Sequence, residues 1–243
     1  MTLVNHLYTR VMRKGRLIGL ILLSAAPGIT LMLASLDTGE SNFADEYATV
    51  VGEAGFAFAI AALIMAAATL REERDGGTLP YLYMRPIPRS ELSILSIAAG
   101  TYAAATLGVI AWISTVIASI ARGATVSDAL PGLVLFLTAS FGYAAIFVPL
   151  GYLVRRSLLF GLGYLFVIEA IVANVIGGLA QLSVWKISLS IYLGIDPNVS
   201  DSVADNLLGP VGRGAGGGIA KLAVLVALGY LILTWAMRRR DAL

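Results

Sequence analysis

The sequence contains no cysteine and a single histidine, His6, among its 243 residues. The absence of cysteine excludes disulfide bonds, thiolate metal sites and a cysteine nucleophile, and one histidine leaves almost no scope for a histidine-based catalytic or metal site. Charged residues are also scarce, at 13% of the chain, whereas soluble domains contain about 25%. Because 58% of the residues are hydrophobic, the composition predicts an all-α, polytopic membrane protein.

Six transmembrane helices are predicted from the long apolar runs. About twenty helical residues are needed to cross a hydrocarbon core of about 30 Å, and each run reaches roughly that length. No internal repeat or separate soluble domain interrupts them, so residues 1–243 are predicted to form one transmembrane domain. The predicted spans are approximately residues 17–36, 49–70, 92–120, 131–154, 158–180 and 219–237.

The distribution of basic residues predicts the orientation of these spans. One alternating set of loops carries 13 of the 17 Lys and Arg side chains, and the other set carries 4. Lys and Arg accumulate on the cytoplasmic side of membranes, so we expect both termini and residues 71–91 to be cytoplasmic. The Arg-, Ala- and Gly-rich composition is typical of a GC-rich prokaryotic genome, and a prokaryotic plasma membrane is the expected location.

Residues 1–16 are predicted to contain an amphipathic helix that lies in the inner membrane interface. Leu3 and Leu7 fall on its apolar side, while His6 falls on the opposite, polar side. The polar side would face either water or a cytoplasmic partner.

Residues 181–218, which precede the sixth span, are predicted to form an outer re-entrant-like segment. The apolar stretch between Trp185 and Leu193 is too apolar for a free loop and too short to cross the bilayer, which suggests interfacial or re-entrant helices. The cluster Gly212–Gly217 fits a G-x-G-x-x-G pattern, but no strand precedes it, so a dinucleotide site is not expected. We predict a flexible linker there instead.

A charged, turn-rich segment at residues 71–91 separates the second and third spans. Gly76 and Gly77 should end the second helix. Thr78 can cap a new short helix that ends before Pro86, and Ser90 can cap the third span. Such a helix would suit protein docking, because aromatic, Met and Arg residues are enriched at interfaces; the alternative is an ordinary loop on lipid headgroups. The side chains it would display are Tyr81, Leu82, Tyr83 and Met84.

The same segment resembles the signature of ABC-2 type transporter permeases. Glu73-Arg-Asp-Gly-Gly-Thr-Leu79 and Arg85-Pro-Ile-Pro-Arg-Ser-Glu91 are similar to the motif that follows the second span in that family. The similarity covers about residues 50–110, and elsewhere only the layout of spans matches. The resemblance implies the membrane subunit of an exporter, which pairs with a second permease subunit, identical or different, and with two ATPase subunits.

The resemblance also implies that the short helix between spans two and three couples this subunit to the ATPase. No G-x-x-x-x-G-K-[ST] motif is present, so ATP and Mg²⁺ are expected on the partner ATPase and no cofactor on this chain. No nucleic acid partner, metal site or catalytic residue is expected. The residues that map to the coupling interface are Glu72, Glu73, Thr78, Leu79, Tyr81, Leu82, Arg85 and Arg89.

Glu169 is predicted to lie inside the fifth span. A charge at the membrane centre costs about 3 kcal/mol of insertion free energy. The apolar residues of this span contribute roughly 4–8 kcal/mol in favour of insertion, so the helix still inserts. Two roles remain open for the carboxylate: it lines the translocation pathway, or it makes a packing hydrogen bond inside the bundle, for example to tyrosine side chains.

Two other classes of protein are alternatives to an exporter subunit. A stand-alone channel or ion-coupled carrier would carry more charges at mid-membrane than one glutamate. An intramembrane enzyme would present a paired catalytic constellation, and the sequence contains no recognisable one. The apolar spans favour a hydrophobic or amphiphilic substrate over a strongly polar one.

Overall fold

The computed structural model describes residues 3–12, 17–34, 42–77, 87–172 and 180–240. Within these ranges every regular element is helical. The first five helices are α1 (Leu3–Met12), α2 (Leu17–Ser24), α3 (Ala26–Ala34), α4 (Phe43–Ala54) and α5 (Phe56–Asp75). They are followed by α6 (Arg89–Ala121), α7 (Val126–Leu153), α8 (Ser157–Gly163) with a π-helical continuation (Tyr164–Val172), α9 (Val184–Ile195), α10 (Asp201–Leu208) and α11 (Ala215–Arg240).

The described residues contain four helical segments that are long and apolar enough to cross a membrane. A fifth is formed if α4 and α5 are taken together as one bent span. The predicted span at 158–180 is described only in part, because residues 173–179 lie outside the described ranges. The chain is therefore a multi-pass helical membrane protein. The four segments are Leu17–Ala34, α6, α7 and Asp201–Arg239.

The second predicted span is bent rather than straight. Residues 49–70 were expected to form one helix, but α4 and α5 meet at Gly55 with a bend of 43°. The Trp185 ring packs against the bend so closely that a Cβ on Gly55 would lie 2.1 Å from it. Trp185 Nε1 also donates a 2.7 Å hydrogen bond to the Gly52 carbonyl. The bend therefore depends on a side chain that is remote in sequence.

Two of the predicted helix boundaries next to residues 71–91 can be compared with the structure. The helix stop at Gly76 and Gly77 is confirmed, since α5 ends at Asp75 and Gly77 has a φ of +66°, which favours glycine. The predicted cap at Ser90 is wrong. Pro88, with φ −63° and ψ 147°, is the residue that precedes the helix, and α6 begins directly after it at Arg89. Proline fixes the backbone angle there without needing a side-chain cap.

The fourth span begins earlier than expected. Its predicted start was residue 131, whereas α7 begins at Val126. Thr125 and Asp128 form a capping box, in which the Thr125 backbone N–H donates to the Asp128 carboxylate at 2.8 Å. The T-x-x-D pattern is the local signal that places the start one turn or more before Pro131. The sixth span is likewise longer than residues 219–237, since α11 runs over Ala215–Arg240.

Helix α7 lies at the centre of the bundle, with 61% of its most apolar stretch buried. Small residues bring its neighbours into backbone contact. A Cβ on Gly151 would lie 2.3 Å from the Ala67 carbonyl oxygen of α5, and a Cβ on Gly229 of α11 would lie 2.2 Å from the Ala145 carbonyl oxygen. Such close approach favours helix association in lipid, where van der Waals contact replaces the hydrophobic driving force.

Helix α1 packs its apolar side on the bundle. Leu3 and Leu7 are buried among the core residues, as the amphipathic pattern predicts. Tyr8 reaches α6, where its hydroxyl lies 3.2 Å from the Thr106 hydroxyl. The helix therefore contacts the spans themselves, in addition to any contact it makes with the membrane surface.

Candidate functional sites at the two ends of the bundle

The bundle has two distinct ends, which helix α5 connects. Its first residue, Phe56, follows the bend beneath α9, and its last residue, Asp75, precedes the segment between the second and third spans. Twenty helical residues separate them by about 30 Å. We refer to the end with residues 71–91 as the loop end and to the end with residues 181–218 as the cap end.

At the loop end, Glu72 and Glu73 occupy the last turn of α5 and are only 8% and 1% exposed. His6 of α1 lies nearby, with its Nε2 atom 3.7 Å from Glu73 Oε1. Buried carboxylates require polar neighbours, and α1 supplies one of them. In this arrangement the two glutamates offer little accessible surface.

Arg74 is a loop-end residue that the sequence reasoning missed. Its Nη1 atom donates a 3.1 Å hydrogen bond to the Tyr152 carbonyl at the end of α7, and its Nε atom lies 3.2 Å from the Asp75 carboxylate. Arg89, the first residue of α6, is half-buried at the other side of the segment. The end of α5, directly before the segment, is thus bonded to the end of α7.

The central part of the predicted coupling interface lies outside the described residues. The short helix between spans two and three therefore stays a prediction. Of the predicted interface residues, the structure describes Glu72, Glu73 and Arg89, all at the loop end. The others are Thr78, Leu79, Tyr81, Leu82 and Arg85.

The cap end contains two short helices, α9 and α10, followed by a 3-10 turn at Gly209–Val211. The helical structure predicted for this segment is confirmed, and its re-entrant position on the outer side stays a prediction. Helix α9 is almost wholly buried and packs against α7 and α11. Its buried apolar side chains are Val184, Trp185, Ile187, Leu189, Ile191, Tyr192 and Leu193.

The glycine cluster Gly212–Gly217, which was predicted to be a flexible linker, is instead held by side chains. Arg213 Nε donates to the Leu193 carbonyl at 2.6 Å, and its Nη1 atom donates to the Val199 carbonyl at 3.2 Å. Ser190 Oγ donates to the Gly212 carbonyl at 2.7 Å. These bonds satisfy carbonyls at and beyond the end of α9. Residues 212–214 therefore form an ordered turn directly before α11, which begins at Ala215.

Glu169 lies in the π-helical continuation of α8, is 6% exposed, and accepts a hydrogen bond on each carboxylate oxygen. The Tyr143 hydroxyl of α7 donates to Oε2 at 2.9 Å, and the Val184 N–H donates to Oε1 at 3.1 Å. Val184 is the first residue of α9, where N–H groups lack helical partners and an acceptor with negative charge is favourable. The carboxylate thus joins three elements and makes the tyrosine contact that the packing role requires.

A cavity of about 440 Å³ adjoins Glu169 at the cap end. It lies between the α4–α5 bend and helices α9 and α10. Burial lowers the pKa of the Lys186 ammonium group on its wall. Among the described residues, no cluster of three or more His, Asp or Glu side chains is arranged to hold a metal ion. The side chains that give this cap-end cavity its character are Glu53, Phe56, Glu169, Trp185, Lys186 and Asn206.

The fold defines a polytopic helical membrane protein with a carboxylate, Glu169, buried inside its bundle. A family model described as "ABC-2 family transporter protein" matches residues 12–177, which is more than half of the chain. The chain therefore belongs to the ABC-2 family of transporter proteins. The match includes the loop end and Glu169 and stops before α9. No curated protein sequence matches the chain.

Membership in this family makes the chain the membrane component of an ABC transporter. Such a component transports and is not itself catalytic, and the family implies association with an ABC ATPase.

Proposed function

We propose that this chain is the permease subunit of an ATP-driven ABC-2 type exporter that moves a hydrophobic or amphiphilic substrate out of the cytoplasm. It would cross a prokaryotic plasma membrane six times with both termini inside and pair with a second permease subunit. Separate ATPase subunits would bind ATP and Mg²⁺. The observation that carries the proposal is the family match over residues 12–177.

Residues 71–91 are the proposed coupling segment, which the ATPase would bind from the cytoplasmic side. The contacts at the end of α5 support this role. Glu73 is buried beside His6, and Arg74 bonds the end of α7. The segment joins helices of 20 and 33 residues, which are about 30 and 50 Å long. A push on it would tilt both helices together and open a path between two permease subunits.

Glu169 is the proposed pathway residue. An intramembrane carboxylate is expensive to bury and generally serves transport or catalysis. It adjoins the cap-end cavity while Tyr143 and Val184 hold its two oxygens. The bonds fix the position of the carboxylate, and the cavity gives a substrate access to it.

The coupling role is tested by co-purification with the P-loop ATPase encoded by a neighbouring reading frame. Leu82→Asp places a charge in the predicted short helix. A central apolar contact contributes about 2 kcal/mol to an interface, so we expect roughly 30-fold weaker ATPase binding. ATP turnover by the complex should fall with it. Leu182→Asp is the matched control, because Leu182 is 57% exposed at the cap end, and it should leave both measurements unchanged.

Unchanged ATPase binding and ATP turnover with Leu82→Asp would contradict the coupling assignment. Transport by the purified chain alone, driven by an imposed ion gradient in vesicles, would contradict the exporter proposal as a whole.

A further inference from the structure

The cap-end cavity carries two opposite charges that have no ion-pair partner within 4.0 Å in the described parts of the chain. One is Glu53, in the last turn of α4, and the other is Lys186, in the first turn of α9. Lys186 Nζ lies 3.9 Å from the position that a Cβ would take on Gly209. Glu53 is exposed and Lys186 is half-buried, so both charges are accessible, and opposite charges attract at short range. The cavity therefore suits a ligand with both an anionic and a cationic group.

Apolar and aromatic side chains form part of the cavity wall, beside polar groups that include Glu169 and Ser183. Phe56, Trp185 and Leu189 contribute to the lining. Aromatic faces attract ammonium groups, quaternary ones included. Trp185 is fixed by its hydrogen bond to the Gly52 carbonyl, so the wall is preformed and does not need to be ordered by a ligand.

An apolar surface continues from the cavity to the outside of the bundle. Ala170 lines the cavity and belongs to an exposed face of the π-helical segment. Phe166, Val167 and Ile171 on that face are 51%, 51% and 58% exposed. The Phe166 ring makes an edge contact with Phe56, at 5.7 Å between centroids. A ligand whose polar group occupied the cavity could therefore lay a hydrocarbon chain along this face.

We propose that the cap-end cavity binds the headgroup of a zwitterionic phospholipid. The phosphate lies beside Lys186, the ammonium group lies beside Glu53 and the aromatic wall, and an acyl chain lies along the exposed face with Phe166 and Ile171. This inference rests on the proposed function and deepens it, because it names a class of amphiphile and its docking position at the outer end of the pathway.

The test measures lipid binding to the purified full chain in maltoside micelles. The chain has three tryptophans, so Trp112→Phe and Trp235→Phe leave Trp185 as the single fluorescent reporter in the cavity wall. Dihexanoyl-phosphatidylethanolamine should change its emission saturably. Glu53→Gln and Lys186→Gln should each weaken binding roughly fivefold. Asp205→Asn, an exposed carboxylate on α10 outside the lining, is the matched control and should bind like the parent.

Native mass spectrometry of the chain with all three tryptophans counts bound lipid independently and serves if the reporter variant does not fold. Two further probes distinguish binding of a lipid from binding of a free headgroup, and binding of a zwitterion from binding of an anion. Glycerophosphoethanolamine, which has the headgroup and no chains, should bind much more weakly. Dihexanoyl-phosphatidylglycerol, which lacks the ammonium group, should bind more weakly than the zwitterion and should not depend on Glu53.

Equal binding of the chain-free headgroup would overturn the lipid assignment. Equal binding of the anionic lipid, or no effect of either cavity variant, would overturn the zwitterion assignment. Because the assay contains no ATPase, its failure leaves the permease proposal intact. Conversely, loss of ATPase coupling with intact lipid binding would overturn the proposed function alone.

Discussion

Glu169 shows how one residue can connect several parts of a membrane bundle. Its two oxygens accept from Tyr143 of α7 and from the first N–H of α9. The sequence predicts a buried carboxylate in the fifth span and names tyrosine as a candidate partner. It does not predict Tyr143 in particular, or the cap-end backbone, since these contacts depend on how helices pack across the bundle.

Glu169→Gln is predicted to impair transport more than assembly. The amide presents one acceptor and one donor, so either the Tyr143 hydroxyl or the Val184 N–H loses its acceptor. Such a loss costs about 1–3 kcal/mol, and the negative charge at the cavity disappears. Thermal unfolding in detergent measures the first effect, and transport into vesicles measures the second.

Tyr143→Phe is the control for this prediction, because it removes one donor and keeps the carboxylate. It should lower stability by a similar amount while preserving more transport than Glu169→Gln. Wild-type transport at full expression by Glu169→Gln would leave the carboxylate with a packing role only.

At the scale of elements, the bend between α4 and α5 shapes the cap end. Gly55 has no Cβ, and the Trp185 ring of α9 occupies the space that a side chain would take. The indole N–H bonds the Gly52 carbonyl on the same turn. Helix α9 and the first half of the second span therefore form one packed unit, which also makes a wall of the cap-end cavity.

Gly55→Ala is predicted to destabilise the protein. Its Cβ would lie 2.1 Å from a Trp185 ring carbon, and overpacking of this kind costs about 1–3 kcal/mol. Gly19→Ala in α2 is the matched control, because nothing lies within 4 Å of its Cβ position. Thermal unfolding in detergent should separate the two variants.

The double variant Gly55→Ala with Trp185→Phe tests the mechanism of this destabilisation. The smaller phenyl ring leaves room for the added methyl group, so the two changes should destabilise less together than the sum of their separate effects. Additive effects would mean that the ring does not set the bend.

Helix boundaries were predictable where the signal is local and strong. The stop at Gly76 and Gly77 is of this kind, because glycine favours the positive φ that Gly77 adopts. The start of α7 was misjudged although its capping box at Thr125 and Asp128 is readable from the sequence. The anchored turn around Arg213 was not readable, because its partners are the carbonyls of Leu193 and Val199.

At the scale of the whole molecule, the absence of cysteine provides a direct test of orientation. Asp75, at the loop end, and Asp205, at the cap end, are both exposed. We predict that a membrane-impermeant maleimide labels Asp205→Cys in intact cells. Asp75→Cys should be labelled only after the membrane is permeabilised, since basic residues concentrate on the cytoplasmic side.

The unmodified chain, which contains no cysteine, is the control for background labelling. Labelling of Asp75→Cys in intact cells would place the loop end outside. That result would contradict the proposal that a cytoplasmic ATPase binds residues 71–91.

Hydropathy and a short motif by themselves determined that this protein is a helical, multi-pass membrane protein of the ABC-2 type. These properties are local along the chain or simple sums over it. Only the tertiary structure decided that Glu53, Lys186 and Glu169 share one cavity and that Trp185 fits against Gly55. Trp185 and Gly52 are 133 positions apart, and such pairs meet only when the helices pack, because no local pattern encodes the crossing of two distant helices.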